Sequence, residues 1–362
     1  MVLEIEQKGH RESKGRKYHK RVMEVPTHIP SVQAGGVTIE NADVATRYAI
    51  WPSPTVIISD GPYGLGLFPG DLPTSEHLAD WYRPHIKAWT DKALPETTLW
   101  FWCNEIGWAT VHPILVAEGW QYKALHVWDK GIAHIAGNVN SKTIKRFPIV
   151  TEVCVQYVLD VKLPILDGQR VHLRDWLRYE WARTGLPFSK TNDACDVKNA
   201  ATRKYFTKDH LWYFPPPDVM AKLANYANIH GLSTERPYFS LDGSTQLSAE
   251  QWSHMRAKWN HTHGVTNVWS EHAVRGETRL KHNNGFIHSN QKPLSLIERI
   301  ITASSDVDDV VWEPFGGLCP GAIVSMRTGR KCFSAEIIAE FYELAKARLL
   351  YETAPKLEQR TF

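Results

Sequence analysis

VVWEPFGGLCPGA (residues 310–322) and TVIISDGPYGLG (residues 55–66) decide how this chain folds. Each is a run of β-branched or aromatic residues that stops at a small-residue turn bearing one acid. That is how a parallel strand delivers a carboxylate to the carboxyl edge of a sheet. Ligands bind at this edge in open α/β sheets, so the two stretches together predict an α/β chain with a site built from both.

After the first strand come Gly316 and Gly317, a turn that lets a ligand approach the backbone closely. Pro320, with its fixed φ, then suits the start of a short helix ending before Gly329. Residues 331–337 read as the next strand, and Glu336 falls near the spacing at which a Rossmann-like acid accepts hydrogen bonds from ribose hydroxyls. Glu313 and Glu336 would then bracket a nucleoside, although a Gly-Gly turn between strand and helix is often no more than a turn.

The second stretch carries the chemistry. Asp60-Gly61-Pro62-Tyr63 offers a carboxylate, a main-chain carbonyl on either side of Gly61, a proline that stiffens the turn and an aromatic ring. The exocyclic amino group of a nucleobase is a poor nucleophile because its lone pair is delocalised into the ring. Two acceptors aimed at its hydrogens draw it toward tetrahedral geometry while Tyr63 stacks on the base. This is transition-state stabilisation by placed acceptors, without a strongly shifted base.

At these residues the chain resembles the permuted, β-class amino-methylating DNA methyltransferases that depend on S-adenosyl-L-methionine. The family tetrapeptide Asp/Asn/Ser-Pro-Pro-Tyr/Phe/Trp stands here as Asp60-Gly61-Pro62-Tyr63, and the His-Pro-Thr-Gln-Lys-Pro signature as His288-Ser289-Asn290-Gln291-Lys292-Pro293. A predicted helix over 294–304 and the turn Glu313-Pro314-Phe315-Gly316-Gly317 follow in the family's order. Three departures stand out: Gly61 replaces a proline, Cys319 stands where a further glycine is usual, and Glu313 replaces an Asp. The resemblance implies a Rossmann-like methyltransferase sheet with helices on both faces, plus an inserted, mostly helical target-recognition domain. It assigns catalysis to Asp60, Gly61, Pro62 and Tyr63. With the reading above, the cofactor-binding set is Asp43, Asp60, His288, Asn290, Gln291, Lys292, Glu313, Phe315, Gly316, Gly317 and Glu336. Asp43 also suits a helix N-cap.

Four segments are expected: a basic tail over 1–30, the catalytic half over 31–163, the insertion over 164–266 and the cofactor half over 267–362. Residues 1–22 carry seven Lys/Arg against three Glu and read as a solvated tail or a phosphate-contacting arm. The loop 64–78 is suited to closing over a flipped base. Helices are predicted over 77–93, 108–118 and 339–351, and strands over 37–41, 97–103, 122–128 and 147–159. Glu152 sits as an inward acid expected to form a structural salt bridge, and Lys130 as a substrate-facing or simply exposed lysine. Within the insertion, helices over 173–184 and 193–206 joined by a glycine turn suit a helix-turn-helix. Lys190, Lys198, Arg203 and Lys204 are its candidate DNA contacts, and Asn199 its candidate adenine reader. A further helix is expected over 246–260.

Net charge of +3 is mild and permits nucleic-acid binding without arguing for it. Five scattered cysteines without C-x-x-C spacing read as reduced thiols in a soluble, cytoplasmic protein. The seventeen histidines lack ligand spacing, so no metal is expected. The activity expected is methyl transfer to adenine N6 in double-stranded DNA after base flipping, because Asp in the tetrapeptide's first place more often accompanies adenine. The setting is a modification system with or without a cognate restriction endonuclease, and a homodimer is left open. The alternatives are cytosine N4, RNA adenine, and a catalytically silent DNA-binding protein of the same fold.

Overall fold

The computed structural model describes residues 29–66, 69–134, 147–274, 281–282, 285–286 and 291–354. Residues 1–28 of the basic tail, His288 and Asn290 therefore lie outside the described residues. In chain order the first half holds strands β1 (Ser31–Ala34), β2 (Val37–Glu40), β3 (Val56–Ser59) and β4 (Thr98–Cys103). Helix α1 (Leu78–Lys92) joins β3 to β4, and α2 (Glu105–Ala117) leads into β5 (Trp120–Asp129) and β6 (Thr151–Leu159). The hairpin between β1 and β2 turns on Gly35 and Gly36, both at positive φ, where a side chain is strained.

A lobe follows, with the strand pair β7 (Lys162–Pro164) and β8 (Arg170–His172) and five helices. These are α3 (Leu173–Arg183), α4 (Lys190–Ala194), α5 (Ala201–Tyr205), α6 (Pro217–His230) and α7 (Ala249–Ser253). Strand β9 (Val268–Ser270) returns the chain to the sheet, and a short pair, β10 (Lys281–His282) and β11 (Gly285–Phe286), comes next. The chain closes with α8 (Leu294–Ser304), β12 (Val310–Glu313), α9 (Pro320–Arg327), β13 (Lys331–Ala335) and α10 (Ala339–Thr353).

The sheet has nine strands in the order β1-β2-β13-β12-β3-β4-β6-β5-β9. All run one way except β1 and β6. From β12 the chain crosses through α9 to β13 on one side; from β3 it crosses through α1 to β4 on the other. The connections therefore diverge between β12 and β3, which makes their carboxyl ends the topological switch point where ligands bind.

Residue alternation along each strand feeds two cores. Val56, Ile58, Trp100, Trp102 and Val311 face one way, into the core that holds α8 and α9. Ile57, Leu99, Phe101 and Trp312 face the other, against α1 and α2. Covering both faces explains why β3 and β4 are buried at every position and apolar at all but Ser59 and Thr98, each aliphatic side chain contributing about 1.5–3 kcal/mol on burial. The lobe has a third core of its own, built on Trp176, Leu177 and Trp181 of α3 with Leu223, Phe239 and Trp252.

Gly61 shows how closely the switch point is packed. A Cβ there would lie 2.6 Å from the Tyr82 hydroxyl and 2.7 Å from the Phe315 ring, so the ring following β12 occupies the space of a side chain following β3. The proline expected at this position is excluded by that contact rather than by a special φ.

Several expectations are corrected. The strand predicted over 147–159 starts at Thr151, and it runs antiparallel to both neighbours. The helix predicted over 193–206 is broken by Asp196 at φ 56° into α4 and α5, of five residues each, so no recognition helix forms. The helix predicted over 246–260 shrinks to five residues, opened by a capping box of Ser248 and Gln251.

Two outcomes test this packing. Gly61→Ala should lower stability by about 1–3 kcal/mol in urea unfolding, because Phe315 must move; an unchanged midpoint contradicts the contact. Trp252→Ala should cost about 3–5 kcal/mol and, in hydrogen exchange, release amides of the lobe before those of β3 and β12. Uniform loss of protection would show that the lobe's core is not separate.

Candidate active site

Asp60 is the first residue beyond β3, at the carboxyl edge. Its Oδ2 lies 2.9 Å from Lys292 Nζ, and its Oδ1 accepts a hydrogen bond from the Tyr63 hydroxyl at 2.9 Å. The same hydroxyl reaches Glu152 Oε2 at 3.1 Å, Lys292 lies 3.3 Å from that oxygen, and Lys130 pairs with Glu152 Oε1. The antiparallel run of β6 explains the meeting: its first residues share the edge with the last residues of β3, β4 and β5. Burial draws the Lys292 ammonium down, but Asp60 and Glu152 outweigh it and hold the pKa above the ordinary lysine value. Burial likewise pushes Glu152 up, yet Lys292 and Lys130 bring it below the usual carboxylate range. Tyr63 is raised by burial and by the two acids, so its hydroxyl stays a donor.

These contacts revise three expectations. Tyr63 is only 3% exposed, and Lys292 Nζ stands 5.4 Å from its ring centroid, so in this arrangement the ring holds Asp60 and does not face the cavity. Lys130 is half-buried and engaged in an ion pair with Glu152 rather than simply exposed. Lys292, grouped above with cofactor contacts, directs its ammonium to Asp60. Glu152 does form the salt bridge expected of it, inside the site.

One cavity of about 690 Å³, within the range of small-molecule sites, is lined by both bends: Asp60, Gly61 and Pro62 from one, Phe315, Gly316, Gly317 and Glu336 from the other. Asp43, Gln291 and Lys292 line it too. Asp43 also caps the short turn Val44–Thr46 by accepting from Ala45 N at 2.9 Å, so it has both of the roles considered for it. Gly316 is a cradle that a Cβ would fill, meeting Ser334 Oγ at 2.6 Å and Cys319 Sγ at 2.7 Å. Glu336 accepts from Gly317 N at 2.6 Å and from Ile338 N at 2.8 Å, which ties the glycine turn to the end of β13. Burial pushes its carboxyl up to about 7 against the pull of those donors.

Glu313 is corrected. It does not line the cavity but turns back to accept from Gly321 N at 2.6 Å, Ala322 N at 3.1 Å and Ser334 Oγ at 2.9 Å. It caps the start of α9, and a Cβ at Gly321 would sit 2.8 Å from its Oε1, so the longer acid and the small residue fit each other. Burial pushes Glu313 up to about 8. Cys319 adopts the left-handed conformation, φ 51° and ψ 52°, at a place suited to glycine, a strain of about 1–2 kcal/mol. Trp81, His85 and Arg348 also line the cavity, and no motif or spacing pointed to them.

The five candidate DNA contacts, Lys190, Lys198, Asn199, Arg203 and Lys204, are exposed on the lobe. Lys190 pairs with Asp193 at 2.7 Å, and Lys198 and Asn199 lie in the break between α4 and α5. The lobe joins the sheet through His254 with Glu96 and through Lys258 with Asp309 at 2.8 Å. Both acids precede their strands, so these joints lie at the amino edge, about 20 Å along the six-residue β4 from the edge that carries Asp60. The base-reading role given to Asn199 loses the helix that was to present it.

Among the described residues no group of acids, histidines or thiols could hold a metal ion, and no helix is long and apolar enough to cross a membrane. All five cysteines are free and buried.

Comparison with known proteins completes the description. The chain is 36% identical over 162 residues to the DNA adenine methyltransferase YhdJ of Escherichia coli K12, covering 41% of this chain and 54% of that protein. It is 36% identical over 83 residues to the Type II methyltransferase M.HinfI of Haemophilus influenzae, 23% of each. The chain thus spans about half or less of the length of these relatives. Among solved structures it is similar to the M1.HpyAVI–SAM complex, with TM-score 0.47, 15% identity, and coverage of 86% of this chain and 98% of that one. The cytosine-N4-specific PvuII DNA methyltransferase gives TM-score 0.48 and 12% identity over 89% of each chain. The DNA methylase family model matches residues 55–347, from the strand that delivers Asp60 through the helix that closes the cavity, and the chain belongs to that N6/N4 methyltransferase family.

Proposed function

We propose that this protein transfers the methyl group of S-adenosyl-L-methionine to the exocyclic N6 of an adenine rotated out of duplex DNA. The observation that carries this reading is the single cavity shared by the Asp60 bend and the Gly316-Gly317 bend. The cofactor, when bound, supplies an electrophilic methyl on a sulfonium. Gly316 and Gly317 would allow its close approach and Glu336 would accept from its ribose hydroxyls, while Gln291 and Asp43 line the same cavity. Asp60 and a main-chain carbonyl beside Gly61 would accept hydrogen bonds from the amino group. In the transfer the amino nitrogen would bond to the methyl carbon as the carbon–sulfur bond breaks and leaves its electron pair on sulfur, and the nitrogen would then release its surplus proton to water. Aromatic surface for the extruded base comes from Trp81 and Phe315, whose rings lie 5.1 Å apart.

Adenine is favoured by Asp60 in the tetrapeptide's first place and by the identity with a relative named as a DNA adenine methyltransferase. The Type II relative supports a restriction-modification setting. The lobe's exposed Lys198, Arg203 and Lys204 are offered as phosphate contacts on flanking duplex, not as readers of the target base.

The test is methyl incorporation from labelled S-adenosyl-L-methionine into duplex DNA, followed by mass analysis of the nucleosides. N6-methyladenine is expected. N4-methylcytosine, or label in RNA alone, would overturn the assignment. Asp60→Ala should lower turnover by at least about 100-fold while cofactor affinity changes little. A mutant with normal turnover would contradict the role of the acid.

Glu336 gives a pH signature. Its carboxyl is pushed up to about 7, and only the ionised form accepts fully from ribose hydroxyls, so cofactor binding should tighten as pH rises from 6 to 8. Glu336→Gln should bind more weakly and flatten the profile. Calorimetry showing a wild-type affinity independent of pH would count against this contact.

A further inference from the structure

We infer that Glu152 and Lys292 are positioning residues for the transfer reaction, acting through Asp60 as one buried ion chain with Tyr63 and Lys130. The inference rests on the proposed methyl transfer. An aspartate carboxylate on a loop rotates about a broad, two-fold torsion, so its acceptor directions are undefined unless both oxygens are held. Here both are held: Oδ2 by Lys292 at 2.9 Å and Oδ1 by the Tyr63 hydroxyl at 2.9 Å. Among the described residues no other donor meets these two oxygens, and Asp60 lines the cavity, where its remaining lone pairs can meet an amino group.

Neither holder stands alone. Glu152 Oε2 receives the Tyr63 hydroxyl at 3.1 Å and lies 3.3 Å from Lys292, while Oε1 binds Lys130. Glu152 is therefore the hub that fixes both groups touching Asp60, and it arrives from a different strand. Lys292 is enclosed by rings, 5.5 Å from the Trp102 centroid and 6.0 Å from that of Trp128, which limits where its ammonium can go.

Energetics favour a geometric purpose over a stabilising one. The Lys292 and Glu152 side chains are 1% and 8% exposed, and buried ion pairs are commonly no better for stability than apolar residues of the same volume. Two carboxylates and two ammonium groups leave the chain of charges neutral, so Asp60 keeps its direction without placing net charge beside the cofactor's sulfonium.

The test combines steady-state kinetics, cofactor calorimetry and thermal unfolding of the full chain on duplex DNA. Glu152→Gln, which keeps shape and removes charge, should lower kcat by about 100-fold while both KM values and the cofactor Kd stay within about 3-fold. Lys292→Arg keeps the charge, and hence the fold, but its planar fork cannot occupy the same point, so kcat should again fall about 10-fold or more. Because the two act as a unit, the double variant should be no more than about 10-fold below the worse single one. Should Glu152→Gln fail to fold, Lys292→Arg alone decides. An active wild type whose Lys292→Arg and folded Glu152→Gln variants keep kcat within about 2-fold, or lose activity only through KM or cofactor Kd, overturns this inference and leaves the proposed reaction standing. A wild type silent on every duplex overturns the reaction and the inference with it.

Discussion

Everything at the candidate site depends on β12 pairing with β3. The register Val311 with Val56 and Trp312 with Ile57 brings together two bends about 250 residues apart in the chain. From that pairing follow the contact of Phe315 with Gly61, the divergence of the connections on either side, and the common cavity beyond. A one-residue slip would exchange Val311 and Trp312 between the two cores, so both faces resist it.

Around that pairing the two acids of the cofactor bend divide the work in a way their similar settings did not suggest. Glu313 is spent on the helix beside it, satisfying the orphan N–H groups of Gly321 and Ala322 and so aiming the start of α9. Glu336 holds the glycine turn yet still borders the cavity. The left-handed Cys319 completes this turn, storing backbone strain where a small residue is packed between Ser334 and Gly316.

Much of this was legible because periodicity is local. The runs of β-branched and aromatic residues within 55–59 and 310–313 announce buried parallel strands, and the small-residue turns after them announce ligand-binding ends. The direction of β6 was not legible, since strand polarity depends on the partner and not on composition. With it went the meeting of Glu152 with Lys130 and Lys292. Helical pattern over 193–206 continues in the sequence, but Asp196 at positive φ and the buried Asn192 side chain, which accepts from Ala201 N at 3.1 Å, turn it into two short helices. Tyr63 was read by residue type as a free ring, whereas tertiary contacts, Asp60 and Glu152 on its hydroxyl, decide its orientation.

The most direct test of the shared cavity is a structure of the protein crystallised with S-adenosylhomocysteine, the demethylated product of the cofactor. The nucleoside should lie against the Gly316-Gly317 turn and Glu336, which are joined by their own hydrogen bond, with the sulfur turned toward the Asp60 carboxylate. Product bound elsewhere, or bound with the sulfur turned away from Asp60, would contradict it.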